Sequence, residues 1–157
     1  MSRYETAAVD ALHTQVSAQL ATQLAAVETD EGIAAGSLTQ PISILKNRAP
    51  NDNISPLMRI YSDGAGTFDQ RNHLYVVDCI IDLGYKFPTG TDLAALELFM
   101  RRYLDAMRRC VLADQTLGGA ACQALIEEAS DDSGDGDTSE TRRVATLAVI
   151  VTVHSPP

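Results

Sequence analysis

A chain of 157 residues with 45% hydrophobic content has the material for one core, although aromatic residues make up only 5% and Trp is missing. Its 21 Asp and Glu against 12 Lys and Arg give a net charge of −9 and a pI of about 4.6. That balance excludes ordinary nucleic-acid binding, which needs clustered cations on phosphates, but leaves open a surface that DNA slides past without sticking.

In chain order, Tyr4 to about Val27 reads as a helix: Val9, Leu12, Val16, Leu20, Leu24 and Val27 form a narrow apolar stripe padded by alanines. Such a stripe needs a partner, either the sheet of its own chain or a neighbouring subunit. Gly32, Gly36 and Pro41 end it, and Ile42, Ile44 and Leu45 make a short apolar patch. The segment from Lys46 to Pro56 reads as loop, Leu57 to Tyr61 as a strand, and Ser62 to Asn72 as a glycine-containing connection. That connection lacks the GxxxxGK[ST] phosphate pattern and leads into a strand rather than a helix.

The stretch from Asn72 to Leu112 organises the rest. His73, Tyr75, Val77, Cys79, Ile81, Leu83, Tyr85 and Phe87 alternate onto one largely apolar face of a long strand, and Asp78, Asp82, Gly84 and Lys86 onto a wetter one. After Pro88 and Gly90 the period changes. Leu93, Leu96, Met100, Tyr103, Leu104, Met107 and Val111 then share one side of a helix that Thr91 or Asp92 can cap. Cys122 to Glu128 reads as a strand, Ala129 to Thr141 as an acidic loop and Arg142 to His154 as a closing strand, together a long hairpin. The expected architecture is α+β: a mostly antiparallel sheet, an N-terminal and a central helix packed on one face, and a long C-terminal hairpin. One domain is expected over 1–157, with its first helix at about 4–28 and the sheet and central helix at about 42–154.

No catalytic, cofactor or metal motif stands in the chain. Cys79, Cys110 and Cys122 are widely spaced, with neither CxxC nor a Cys/His cluster, and His13, His73 and His154 lie on separate elements. Asp78 and Asp82 share a strand face, where a carboxylate pair can do acid–base work but is more often solvated. The acidic loop holds Asp131, Asp132, Asp135, Asp137 and Glu140; aligned as an EF-hand it places Arg142 where a bidentate Glu is required. It reads instead as a solvated loop or an acidic lining on a ring face or channel. Arg101, Arg102, Arg108 and Arg109 lie on the second half of the central helix, and Arg142 and Arg143 flank the acidic loop; all six are candidates for ion pairs between subunits. The start MSRYETAAVDAL has no apolar signal region, and no apolar run approaches the ~20 residues that span a bilayer, so a reducing cytoplasm is expected. A long strand and long connections in so small a chain suit a subunit that completes itself against copies of itself, for which a closed ring is one outcome.

The order and texture of these elements resemble the tail terminator and tail-completion proteins of tailed bacteriophages, the lambda minor tail protein U type among them. The likeness rests on the amphipathic helix Tyr4–Val27 and the Pro-Leu-x-Arg-Ile strand opening at Pro56–Ile60. It continues in the long strand ending Gly-Tyr-Lys-Phe at Gly84–Phe87, the following helix with regular Leu spacing, and the closing RRVATLAVIVTV at Arg142–Val153. The resemblance implies a structural virion protein and no enzyme. Its members form a hexameric ring at the head-proximal end of the tail tube, which ends tube polymerisation and joins the tail to the head-side connector. Their partners are the chain itself, the tail tube protein and the connector or stopper, and DNA passes through the channel without specific binding. The resemblance implies no cofactor, no membrane, and assembly in the host cytoplasm. Another neck component, a cytosolic binding domain outside any virion and a small enzyme using Asp78, Asp82 or a histidine remain open alternatives.

Overall fold

A computed structural model describes residues 2–47, 55–88, 90–134 and 140–154. Among them the chain forms, in order, α1 (Arg3–Glu31), β1 (Ser43–Leu45), β2 (Leu57–Ser62), β3 (Thr67–Asp69), β4 (Leu74–Pro88), α2 (Leu93–Ala113), β5 (Gln123–Gly134) and β6 (Glu140–His154). The strands make one sheet in the order β1-β2-β4-β6-β5, with β3 paired to the start of β4. Every pairing is antiparallel except β1 with β2. This is the expected α+β architecture with its C-terminal hairpin.

The first helix begins where its sequence allows a reciprocal cap. The Ser2 hydroxyl accepts from the Glu5 backbone N–H, and the Glu5 carboxylate accepts from the Ser2 backbone N–H. Glu5 also accepts from the Gly66 N–H at 3.1 Å, which fastens the helix start to the segment before β3. The helix runs one turn beyond the expected end and stops at Gly32, whose φ of 65° closes an αL cap. Leu38 then folds back: its N–H donates to the buried Glu28 carboxylate at 3.0 Å.

The apolar stripe of α1 and that of α2 are buried in one cluster with the odd residues of β4 and β6, except Leu93 in the first turn of α2, which is exposed. The period-two reading of β4 therefore holds on this face: Val77, Cys79, Ile81 and Leu83 are fully buried. At one end of the sheet Tyr85, Phe87, Phe99 and Tyr103 pack ring against ring, with centroids 4.6–6.2 Å apart. At the other end Tyr75 stacks on Tyr4 at 4.8 Å. Gly66 lies beneath Tyr75: a Cβ there would stand 2.2 Å from the Tyr75 ring and 2.9 Å from the Val76 carbonyl oxygen. Gly66→Ala is expected to destabilise the fold by about 1–3 kcal/mol, read as a lower urea midpoint. A substitution without effect would show that the β3 segment does not pack on the body.

Burial pushes the Cys79 thiol up to about 12, with a further push from the Asp78 charge, and pushes Cys110 up to about 12 as well. Cys122 is half-exposed. A disulfide reagent at pH 8 is expected to modify one thiol rapidly in the native protein and three after unfolding. Rapid native labelling of all three would contradict the buried placement of Cys79 and Cys110.

Three features differ from the sequence reading. The three-residue β3 lies inside the expected glycine-containing connection. The expected acidic loop of 129–141 is largely strand: β5 continues through Asp131 and Asp132 to Gly134, and β6 begins at Glu140. The ladder against β6 overrides the poor strand preference of Asp, Ser and Gly. Asp135 and Asp137 lie outside the described residues. Finally, the wetter face of β4 is not uniformly wet, because Asp82 and Gly84 are buried on it.

Candidate interaction surfaces

Both helices pack on one face of the sheet, α1 against β2, β4 and β6 and α2 against β4, β5 and β6. Among the described residues the other face carries no helix. Its residues come from the even positions of β4 and β6 and the odd positions of β2, as the pairing of Arg59 with Asp82 and of Asp82 with Thr146 requires.

A polar cluster sits in the middle of that face. The Tyr61 hydroxyl donates to Asp82 Oδ2 at 2.6 Å and the Thr146 hydroxyl donates to Oδ1 at 2.8 Å. The Arg59 guanidinium stands 3.7 Å from the same carboxylate, and both side chains are nearly buried. Beside them the Arg142 guanidinium lies across Gly84, close enough that a Cβ on Gly84 would be 3.3 Å from Nη2. Leu57, opposite Gly84 in the ladder, is buried outside the main core. Three strands thus hold one carboxylate between two hydroxyls and a cation. The sequence places Asp82 on a wet face; its burial needs Arg59 and Tyr61 from β2 and Thr146 from β6, which no period in β4 announces.

Asp78 stays exposed. Four strand residues separate it from Asp82, about 13 Å along the backbone, so the two carboxylates do not form a proton-sharing pair. His13 donates to the Ile44 carbonyl oxygen at 3.0 Å, fastening α1 to β1. His73, just before β4, and His154, opposite Leu74, come to the same end of the sheet. Among the described residues no group of three or more His, Cys, Asp or Glu is placed to hold a metal ion. Among the described residues no helix is long and apolar enough to cross a membrane.

The six arginines fall into different environments. Arg102 pairs with Glu31, and Arg109 bridges Asp30 at 2.6 Å and Asp105 at 3.0 Å. These contacts tie the end of α1 to α2 and hold the Arg109 guanidinium more firmly protonated, through its hydrogen bonds to Asp30 and then Asp105. Arg142 lies across Gly84 on the helix-free face. Arg143 points to the opposite face, opposite Tyr85 in the ladder; it is buried, and its Nε has no hydrogen-bond partner among the described residues. Arg101 and Arg108 remain on the exposed side of α2.

That side of α2 also exposes Leu98 by 45% and Leu112 by 57%. The edge strand β5 exposes Leu125 by 43% and has Glu127 at its β-bulge. Among the described residues only β6 pairs with β5; on the other side of its start the Ala124 N–H donates to the Gln115 carbonyl oxygen at 2.7 Å, and no further strand lies along that edge. Sequence reasoning missed Leu98, Leu112 and Leu125; the signal available was Leu98 and Leu112 lying off the buried stripe of the helix. No protein-family model matches the chain, and no curated protein matches it.

Proposed function

We propose that the chain is a structural subunit of a tailed-phage neck, a tail terminator that closes into a hexameric ring on the end of the tail tube. In that reading it stops tube growth, presents a surface to the head-side connector and lets DNA pass through its centre without holding it. The observation that carries the proposal is the unfinished exterior of the fold. Among the described residues no strand pairs with the outer side of the 12-residue edge strand, one sheet face has no helix, and leucines stand exposed beside arginines on α2. Subunits that assemble leave surfaces of this kind for their neighbours. The order of helix, short strand, long strand, helix and hairpin supports the same reading, being the order on which the resemblance rests.

The test is a polymerisation assay with the tube protein of the same phage. Added chain is expected to shorten the tubes and to appear as a cap at one end by negative-stain imaging. Tubes of unchanged length without caps would refute the terminator role.

A further inference from the structure

An antiparallel sheet with one wet face alternates apolar and polar residues, and β6 does not. Its inner positions are buried in the core, yet its outer ones include Val144, Ala148 and Ile150, all half-buried. Ile80 of β4, opposite Ala148, and the exposed Leu125 of β5, opposite Ile150, extend this patch on the helix-free face. Asp82, in the middle of the face, already accepts from Tyr61 and Thr146, so covering the face does not strand it.

The rung through Ile150 also carries charge. Asp78 stands opposite Ile150, and the Asp63 N–H donates to the Asp78 carbonyl oxygen at 2.7 Å, which sets Asp63 beside Asp78. Both carboxylates are exposed, and among the described residues neither has an ion-pair or hydrogen-bond partner. Like charges opposite each other repel, and a cation laid between them relieves the repulsion. Across four strands the rung reads Asp63, Asp78, Ile150, Leu125: two carboxylates, then two apolar side chains, over about 14 Å.

The outer side of α2 carries the complement. At 3.6 residues per turn, the exposed Leu98 and Leu112 point away from the buried Leu96, Met100, Tyr103 and Met107. Arg101 and Arg108 share the flank turned away from α1, and Asp105 between them pairs with Arg109. Among the described residues Arg101 and Arg108 have no ion-pair or hydrogen-bond partner. A helix laid along the strands thus sets two leucines beside two unpaired cations, the same division as the rung, with the opposite charge.

We infer that the outer side of α2, Leu98–Arg101–Arg108–Leu112, docks on the helix-free sheet face of a second copy of this chain, with its arginines on Asp63 and Asp78 and its leucines on Ile150 and Leu125. The inference deepens the proposed function and rests on it in taking another copy as the occupant. The two surfaces lie on opposite sides of the subunit, so each copy gives its helix to one neighbour and its sheet to the other. Such head-to-tail contacts close into a ring when the rotation between copies permits.

The test is a charge exchange. Arg101→Glu with Arg108→Glu makes one variant, and Asp63→Lys with Asp78→Lys the other. Circular dichroism and urea midpoints establish that both fold; Asp78→Asn, a milder change, is expected to weaken association about threefold if the lysine variant does not. Either double variant alone is expected to associate about tenfold or more weakly than wild type in low salt, read by analytical ultracentrifugation. Mixed in equal amounts they are expected to assemble again, because each helix then meets a sheet face of opposite charge, and native mass spectrometry is expected to show equal numbers of the two. Wild-type oligomers with variants that assemble equally well alone would overturn the inference and leave the ring reading standing. Charge-sensitive open chains that never close into rings would support the inference and refute the ring. Wild-type protein that stays monomeric at every concentration, with and without tube protein, would overturn both.

Discussion

Tyr103→Ala lowers the unfolding free energy by about 4 kcal/mol, measured by urea denaturation. The ring is fully buried and sits in the aromatic group of Tyr85, Phe87 and Phe99, with Phe99 at 5.1 Å and Tyr85 at 6.2 Å. Removing it opens a cavity between α2 and the sheet, and stiff neighbouring rings collapse into such a space poorly. Its hydroxyl also donates to the Thr39 carbonyl oxygen at 2.6 Å, so α2 holds down the segment that follows α1. Tyr103→Phe keeps the ring and loses only that bond; about 1 kcal/mol is expected. A small loss for Tyr103→Ala would mean that α2 is not anchored here.

The same residue sets a pH dependence. Burial above all, with the nearby Tyr85 and Glu28 charges, raises the phenol above its ordinary value of 10.0, against a smaller lowering by Thr39. A raised acid constant in the folded state means that the neutral phenol is favoured there. Its contribution is therefore fully present below pH 10 and is lost as pH rises through the folded value. The Cys79 and Cys110 thiols, raised from 9.0 to about 12, act in the same direction. Stability is expected to fall progressively above about pH 9, and less steeply in Tyr103→Phe. A flat profile between pH 9 and 11 would contradict the burial of all three groups.

Asp82→Ala costs about 3 kcal/mol for a different reason. The carboxylate is 6% exposed on the face opposite both helices, and it accepts from Tyr61 and Thr146 while facing Arg59. The alanine variant removes the acceptor of two hydroxyls and one partner of a nearly buried cation, and what remains is under-solvated. Asp82→Asn keeps a carbonyl acceptor and loses the charge, and about half the effect is expected. If the alanine variant unfolds within about 0.5 kcal/mol of wild type, the cluster is decoration and not part of what joins β2, β4 and β6.

How much of this was legible beforehand depends on whether the cause is local. The alternation from Tyr75 to Phe87 gave one face of β4, because a strand against a core declares itself every second residue. The stripe from Leu96 to Val111 gave the inner side of α2 for the same reason at helical spacing. Gly32 and Asp92 behave as their local chemistry suggests, the latter accepting from the Ala95 N–H at 3.3 Å. What was not legible comes from other elements. β3 is three residues held by pairing with Leu74–Val76, too short to show a period. The acidic run 131–134 is strand because β6 pairs with it. Asp82 is buried because residues on two neighbouring strands close over it. Arg102 differs from Arg101, and Arg109 from Arg108, only because Glu31 and Asp30 end α1 beside one flank of α2.

The ring itself is tested most directly by native mass spectrometry of the purified chain, alone and with the tail tube protein, followed by imaging of the same samples. The account predicts a hexamer, or a monomer that converts to six-fold rings when tube protein is added. A chain that remains monomeric and ring-free beside tube protein would contradict it, and a twelve-fold ring would move the protein to the head side of the neck.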